Sequence, residues 1–282
     1  MEILLVNDDG YDSIGIKKIY KKLKKNHQVH SVAPLFEQSA KSHSFTLHHP
    51  LRLHKKSPKK FALHGSPADC TYLGLTHLFP NTELVISGIN LGANLGTDVY
   101  YSGTLAGARE GALQGRKAIA FSVFDNRKSQ LTSRESSSFV ESSSTVVPKP
   151  QTFGLCAEEE DAVFSLAAQW AVQIIEQLLA KPWKDGLYWN VNFPLSALLA
   201  KEIPTVRIAP LGRRRYHSIV EEKRDPRGKT YYWIGGPPIQ SSEDNSDCYW
   251  CEKGYVTLTP LLLDCTDKNF QPWLDQAPIV LQ

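Results

Sequence analysis

The sequence predicts an α/β protein built on a doubly wound, mostly parallel sheet. Short apolar segments of strand length alternate with amphipathic stretches of helical period. Polar loops containing glycine or proline follow the apolar segments, which is where such sheets bind ligands.

Glu2 to Val6 is apolar and bounded by turn residues, so it reads as a buried strand. A helix follows, with Ser13 at its cap and Ile16, Ile19, Tyr20 and Leu23 on one face, lysines opposite. Val29 to Ala33 is the next strand, ended by Pro34, and this β-α-β opening starts a parallel sheet. The pattern repeats as a strand from Lys60 to Leu63 and a helix from Pro67 to Phe79 with proline in its first turn. A strand from Glu83 to Ser87, a helix of small residues from Thr104 to Gln114 and a strand from Ala118 to Val123 follow. From Asp125 to Glu158 the chain is rich in Ser, Thr, Lys, Arg and Glu and poor in large apolar residues. Such a segment buries too little surface to offset its ordering entropy, so it reads as a mobile insertion. Helical spacing returns from Asp161 to Leu179, then strands are expected at Tyr188 to Phe193, Val206 to Ala209 and Tyr255 to Thr259. Asp225-Pro226-Arg227-Gly228 is a turn signal at the centre of a long β-hairpin arm over residues 212–236. Its aromatic surface is costly to leave in water, which predicts packing on a partner subunit. One domain spanning 1–282 accounts for all of these elements.

The net charge is +3, and the lysine clusters are broken by apolar residues, which argues against an extended nucleic-acid footprint. No apolar run in the sequence approaches the roughly 20 residues that span a bilayer. Glu2 stands where an export signal needs a basic region, so a cytoplasmic protein is expected. Five cysteines, an odd number, then imply reduced thiols. Cys248 and Cys251 form a lone C-x-x-C without a second ligand pair, so incidental thiols are expected rather than a zinc or redox site.

The chemistry gathers at strand ends. Asn7-Asp8-Asp9-Gly10 closes the first strand, and two adjacent carboxylates repel each other unless a cation or a shared proton intervenes. On a regular strand the two side chains would diverge, and Gly10 permits the turn that lets both face one ion. On these four residues alone, capping of the next turn explains them equally well. Ser87-Gly88-Ile89-Asn90-Leu91-Gly92-Ala93-Asn94-Leu95-Gly96 follows another buried strand and supplies amide oxygens for a hard cation and backbone N–H groups for a phosphate. It is not a dinucleotide fingerprint. Tyr101-Ser102-Gly103-Thr104 opens a helix, so its hydroxyls and amides suit an anion or ordinary capping alike. Residues Glu37 to Thr46 form a polar loop reaching towards the same crevice. His43 and His64, single histidines in polar loops, are left out of the site.

Together these segments resemble the SurE family of 5′/3′-nucleotidases. The resemblance rests on Asn7 to Gly10, Ala33-Pro34 followed by Gln38-Ser39, Gly65 to Cys70, Ser87 to Gly96 and Tyr101 to Thr104. It continues through Asn190-Val191-Asn192-Phe193-Pro194, the hairpin and Gly254 to Leu261, covering nearly everything but the Ser-rich insertion. It implies a Rossmann-like three-layer α/β/α sandwich that forms homodimers or homotetramers through the C-terminal hairpin. It also implies one divalent cation per subunit (Mg²⁺ or Mn²⁺, with Ca²⁺ an alternative) on Asp8, Asp9, Ser39 and Asn90. Asn94, Ser102, Gly103 and Thr104 would face the phosphate, and Asp8 would orient and deprotonate water. The implied reaction is hydrolysis of nucleoside 5′- and 3′-monophosphates, with short polyphosphate a further substrate of some members. Ile14 and Ala40 depart from the family pattern, which commonly has proline and glycine there. A non-catalytic nucleotide or metal sensor is the alternative on the same scaffold. An NAD-dependent enzyme is suggested by fold class alone.

Overall fold

The computed structural model describes residues 1–127, 153–236, 238–239 and 244–266. Its frame is a nine-stranded sheet of order β3-β4-β2-β1-β5-β6-β7-β13-β8. The strands are β1 (Glu2–Val6), β2 (Gln28–Pro34), β3 (Arg52–Ser57), β4 (Lys60–His64), β5 (Leu84–Leu91), β6 (Lys117–Phe124), β7 (Leu187–Pro194), β8 (Val206–Ile208) and β13 (Val256–Leu262). From β4 to β7 all neighbours are parallel, while β3 and β13 run antiparallel to β4 and β7. Four small strands complete the set: β9 (Arg215–Tyr216) pairs β12 (Pro238–Ile239), and β10 (Ile219–Arg224) pairs β11 (Thr230–Gly235).

Side chains alternate across a strand, and β1 shows what this does to the layers. Ile3 and Leu5 face one core with α1 (Ile14–Leu23), α4 (Ala157–Leu179) and α5 (Leu195–Ala200). Leu4 and Val6 face the other core with α2 (Pro67–Leu73) and α3 (Gly103–Leu113). The three-layer α/β/α sandwich is therefore present, and β1 lies where the strand order reverses between β2 and β5. Its carboxyl end is the topological switch point at which this architecture binds ligands.

Several elements differ from the sequence reading. The predicted helix to Phe79 ends at Leu73 and passes into a π-helical turn at Gly74–Leu78. A Cβ at Gly74 would meet Leu4 Cδ2 at 2.7 Å, so this stretch lies close against the sheet. α4 begins at Ala157, four residues before the expected Asp161, because Glu159 reaches back to the Cys156 N–H at 3.0 Å. In length and mean apolarity α4 would suffice to cross a bilayer, contrary to the expectation that no segment would. Its Phe164, Ala167, Ala168 and Ala171 are nevertheless fully buried in the first core. Ser13 stands at the start of α1 but does not cap it, because its hydroxyl accepts a hydrogen bond from Asn7 Nδ2 at 2.8 Å. β3 was not anticipated, its polar composition hiding an edge strand. Most of the Ser-rich segment expected to be a mobile insertion lies outside the described residues.

Cys248 and Cys251 sit on a short helix, α6 (Asp247–Glu252). Both are buried against Leu95 and Phe124, and burial pushes both thiols well above their ordinary range. They pack as small apolar residues.

Gly15 shows how closely α1 approaches the sheet: a Cβ there would stand 1.8 Å from the Ile89 carbonyl oxygen. Backbone cannot yield as a flexible side chain would, so Gly15→Ala is expected to destabilise the protein by about 1–3 kcal/mol. Urea unfolding of the two proteins side by side measures this.

Candidate active site

The crevice is built on the turn that ends β1. Asp8 is buried and Asp9 half-buried beside it. The backbone around them is tied down on two sides: Gln38 N–H donates to the Asp8 carbonyl at 2.8 Å, and Tyr11 N–H donates to the Pro34 carbonyl at 2.8 Å. The loop after β2 is thereby fastened to the loop after β1.

Asp8 does not cap the helix that follows it in sequence. Its Oδ1 accepts the Thr104 hydroxyl at 2.6 Å, and the Thr104 backbone N–H also donates to this carboxylate. Asp8 therefore sits against the N-terminus of α3, where free N–H groups and the helix dipole favour negative charge. The small residues of α3 make this approach possible. A Cβ at Gly103 would meet Asp8 Cβ at 2.9 Å, one at Gly107 would meet Ser87 Oγ at 2.8 Å, and one at Gly111 would meet Val85 Cβ at 2.8 Å. Ser102 caps the same helix, accepting from Leu105 N–H at 3.0 Å.

Asp9 turns the other way, its Oδ2 accepting the Leu91 N–H at 3.1 Å from the end of β5. Asn90, next to it, donates its amide nitrogen to the Gly92 carbonyl at 2.9 Å, which leaves the amide oxygen as an acceptor. Asp9, Ser13, Ile14, Glu37, Ser39, Leu91 and Glu160 line a cavity of about 300 Å³. Ser39 is exposed there and donates to Glu37 Oε1 at 2.7 Å. Ala40 follows with φ 56°, a left-handed conformation that the glycine of the family pattern adopts freely.

Asn94 is buried, and its side chain donates to Ser122 Oγ at 2.7 Å. Its peptide is gripped by β7: Asn192 Oδ1 accepts its N–H at 3.0 Å, while Asn190 Nδ2 and Asn192 Nδ2 donate to its carbonyl at 2.7 and 3.0 Å. Two residues on, Gly96 N–H donates to Asp247 Oδ2 at 2.9 Å. Of the residues singled out in the sequence, Asp8, Gly103 and Thr104 touch one another, and Asp9 and Ser39 share the crevice. Asn94 and Ser102 serve in this state as struts of the loop and of the helix. Glu37, Asn192 and Asp247 escaped the residue-by-residue reading. Asn190 and Asn192 carried a signal all the same: two amides two positions apart share one face of an otherwise apolar strand. Neither histidine considered earlier lines the crevice. His43 lies 3.0 Å from Glu110 Oε2, and His64 packs on Phe36 and His54.

The model of a family described as survival protein SurE matches residues 3–218. The chain belongs to the SurE family. A protein named 5′-nucleotidase SurE from Campylobacter jejuni subsp. doylei is 37% identical over 285 aligned positions, covering 97% of each chain. Another of that name from Geotalea daltonii is 37% identical, covering 95% of this chain and 96% of its own. The crystal structure of the SurE protein from Aquifex aeolicus superposes with a TM-score of 0.75 at 33% identity, covering 98% of this chain and all of that one.

Of the four residues expected to hold a cation, Asp9 and Ser39 line the cavity, while Asp8 and Asn90 are not among its lining residues. Asp8, Asp9, Ser39 and Asn90 offer carboxylate, hydroxyl and amide oxygens only, the set preferred by Mg²⁺, Mn²⁺ and Ca²⁺. Asn7 Oδ1, beside them, is buried without a hydrogen-bond partner. Burial raises the Asp8 carboxyl from 3.8 to about 6 against the opposing Thr104 bonds. Burial and then the Asp8 charge raise Asp9 from 3.8 to about 8, with the Leu91 N–H opposing. Such a pair gains by a nearby positive charge.

The sign of the resulting pH dependence follows. Folded, each carboxyl holds its proton more tightly than it does unfolded. The metal-free protein therefore keeps this contribution fully below pH 3.8 and loses it as pH rises through about 6 and then about 8. Thermal unfolding in EDTA is expected to show a Tm that declines across that window. Added Mn²⁺ should restore most of the loss at the alkaline end.

Proposed function

We propose that this chain is a 5′-nucleotidase that hydrolyses nucleoside monophosphates to nucleoside and phosphate, with a divalent cation held by Asp8, Asp9, Ser39 and Asn90. The observation that carries the reading is the pair of sequential carboxylates at the switch point of the sheet, Asp8 buried against the N-terminus of α3 and Asp9 half-buried at the end of β5. When bound, the cation would supply charge neutralisation at the phosphoryl group and a lowered pKa for water.

The chain's own residues supply the rest. Asp8, held by Thr104 and by burial, orients the attacking water and accepts its proton. Ser102, Gly103 and Thr104 present the first turn of α3 to the phosphate oxygens, and Asn94 is assigned to the same phosphate from the neighbouring loop. Glu37 sets the Ser39 hydroxyl by accepting its hydrogen bond at 2.7 Å. Nucleoside 3′-monophosphates fall within the same reading, because the contacts assigned here go to the phosphate and not to the ribose. The enzyme acts in the cytoplasm. It assembles as a homodimer or homotetramer through the β10–β11 hairpin, whose Val220, Tyr232 and Ile234 are 62%, 60% and 88% exposed in the single chain.

Phosphate release from AMP with Mg²⁺ or Mn²⁺ is expected, and EDTA should abolish it. Asp8→Asn should keep the fold by circular dichroism and lose about 10²–10⁴-fold in kcat. Near-normal turnover in that variant with metal present would sink the mechanism. Binding of AMP without phosphate release would favour the sensor reading instead.

The hairpin assignment has its own test. Ile234→Lys is expected to shift the protein to a smaller species in light scattering coupled to size exclusion, while circular dichroism stays unchanged. An unchanged mass would remove the hairpin from the interface.

A further inference from the structure

The charge of the chain is distributed unevenly. From Ser13 to Ala68 it carries eleven lysines and one arginine against a single carboxylate, Glu37, although the whole protein has a net charge of only +3. In sequence these cations are interrupted by apolar residues. Folded, part of them converge on two tyrosines between α1 and the β3–β4 edge. Lys56 Nζ lies 4.5 Å from the centre of the Tyr11 ring. Lys60 Nζ lies 3.9 Å and Lys24 Nζ 5.8 Å from the centre of the Tyr20 ring. Lys17 belongs to the same face and pairs with Asp12 at 2.7 Å, the one ion pair that any of these four lysines makes among the described residues. The crowding is electrostatic as well as geometric: burial, then Lys24 and Lys17, lower the Lys60 pKa, with Asp12 opposing.

This face leads to the crevice. Tyr11 follows Asp9-Gly10, and Ser13 and Ile14, at the start of α1, line the crevice with Asp9. From there α1 runs about 15 Å to Lys24. A cationic track with aromatic rings set along it is the recurring solution for holding a short single strand, the cations following phosphates and the rings taking bases.

We propose that the face formed by Lys17, Lys24, Lys56 and Lys60 with Tyr11 and Tyr20 binds a short single-stranded oligonucleotide whose terminal phosphate enters the Asp8–Asp9 crevice. The inference rests on the nucleotidase reading and extends its substrate class from mononucleotides to 5′-phosphorylated oligonucleotide ends. Hydrolysis there breaks the terminal ester bond between phosphorus and the 5′ oxygen. Water supplies the new oxygen on phosphorus, and the 5′ hydroxyl keeps the proton. The rest of the strand stays intact.

The test compares AMP with a 5′-phosphorylated tetra-adenylate on the whole protein with Mn²⁺, and measures binding of the same oligonucleotide, labelled at its 3′ end, by fluorescence anisotropy. The oligonucleotide is expected to be dephosphorylated with a KM about 10-fold below that of AMP, because several phosphates share the track. If four lysines meet phosphates, affinity should fall about 50-fold between about 50 and 200 mM salt. Replacing two of them in K56Q/K60Q should lower the salt slope by about 1.4 and remove the KM advantage, leaving AMP hydrolysis unchanged. Hydrolysis of AMP without hydrolysis of the oligonucleotide would overturn the proposal, as would an equal loss on both substrates in K56Q/K60Q. The anisotropy arm does not need turnover. Absent or salt-insensitive binding there overturns the track whether or not AMP is cleaved, whereas failure on AMP with intact oligonucleotide binding counts against the nucleotidase reading. Attachment to phosphatidylglycerol vesicles without oligonucleotide binding would also overturn it, in favour of a membrane surface.

Discussion

Two adjacent carboxylates drawn out of water are the constraint around which the rest of this protein is arranged. Among the described residues neither Asp8 nor Asp9 has a lysine, arginine or histidine as an ion-pair partner. What they have are hydrogen-bond donors from opposite sides, Thr104 at the start of α3 and the Leu91 N–H at the end of β5. Donors soften the desolvation of a charge but do not cancel it, and the raised carboxyls record the remainder. The run of small residues in α3 belongs to the same arrangement. Were Gly103, Gly107 and Gly111 larger, the helix would stand off from β1 and β5, and Asp8 would lose the dipole it faces.

The crevice is electrostatically lopsided. Glu37 and Glu160 stand on its lining, and Glu158 and Glu159 share the first turn of α4 with Glu160. Across α1 the lysine face begins at Tyr11. One side of the mouth is therefore acidic and the other basic.

Much of this was legible in the sequence, and the boundary is physical. β1 read correctly because a fully buried strand is a continuous apolar run, whereas β5, expected to end at Ser87, runs on to Leu91 through residues read as loop. β3 did not read as a strand, since an edge strand of Arg, His and Lys has neither an apolar run nor a clear alternation. Asp8 and Asp9 were legible as a pair, but their separate partners were not. Thr104 is 96 residues from Asp8 in sequence, and only the packing of α3 brings them together. Asn94 looked like an open ligand because loop asparagines often are. The grip of Asn190 and Asn192 depends on β7 lying beside β6, which no local pattern encodes. The lysines misled in the opposite direction: scattered in sequence, they are gathered by the fold.

The grip on Asn94 has a consequence for how the site comes into being. Asn192 treats the Asn94 peptide as a neighbouring strand would, meeting its N–H and its carbonyl together, from 98 positions further along the chain. Asp247 holds Gly96 from 151 positions away. A growing chain that has emerged only as far as α3 already contains both carboxylates and the turn that binds them. It lacks the Asn190, Asn192 and Asp247 side chains that grip the facing loop at Asn94 and Gly96. The crevice is thus completed late in synthesis, and long-range contacts of this kind are the slow ones to form. Partial chains of this protein would carry the acidic half of the pocket without its opposite wall.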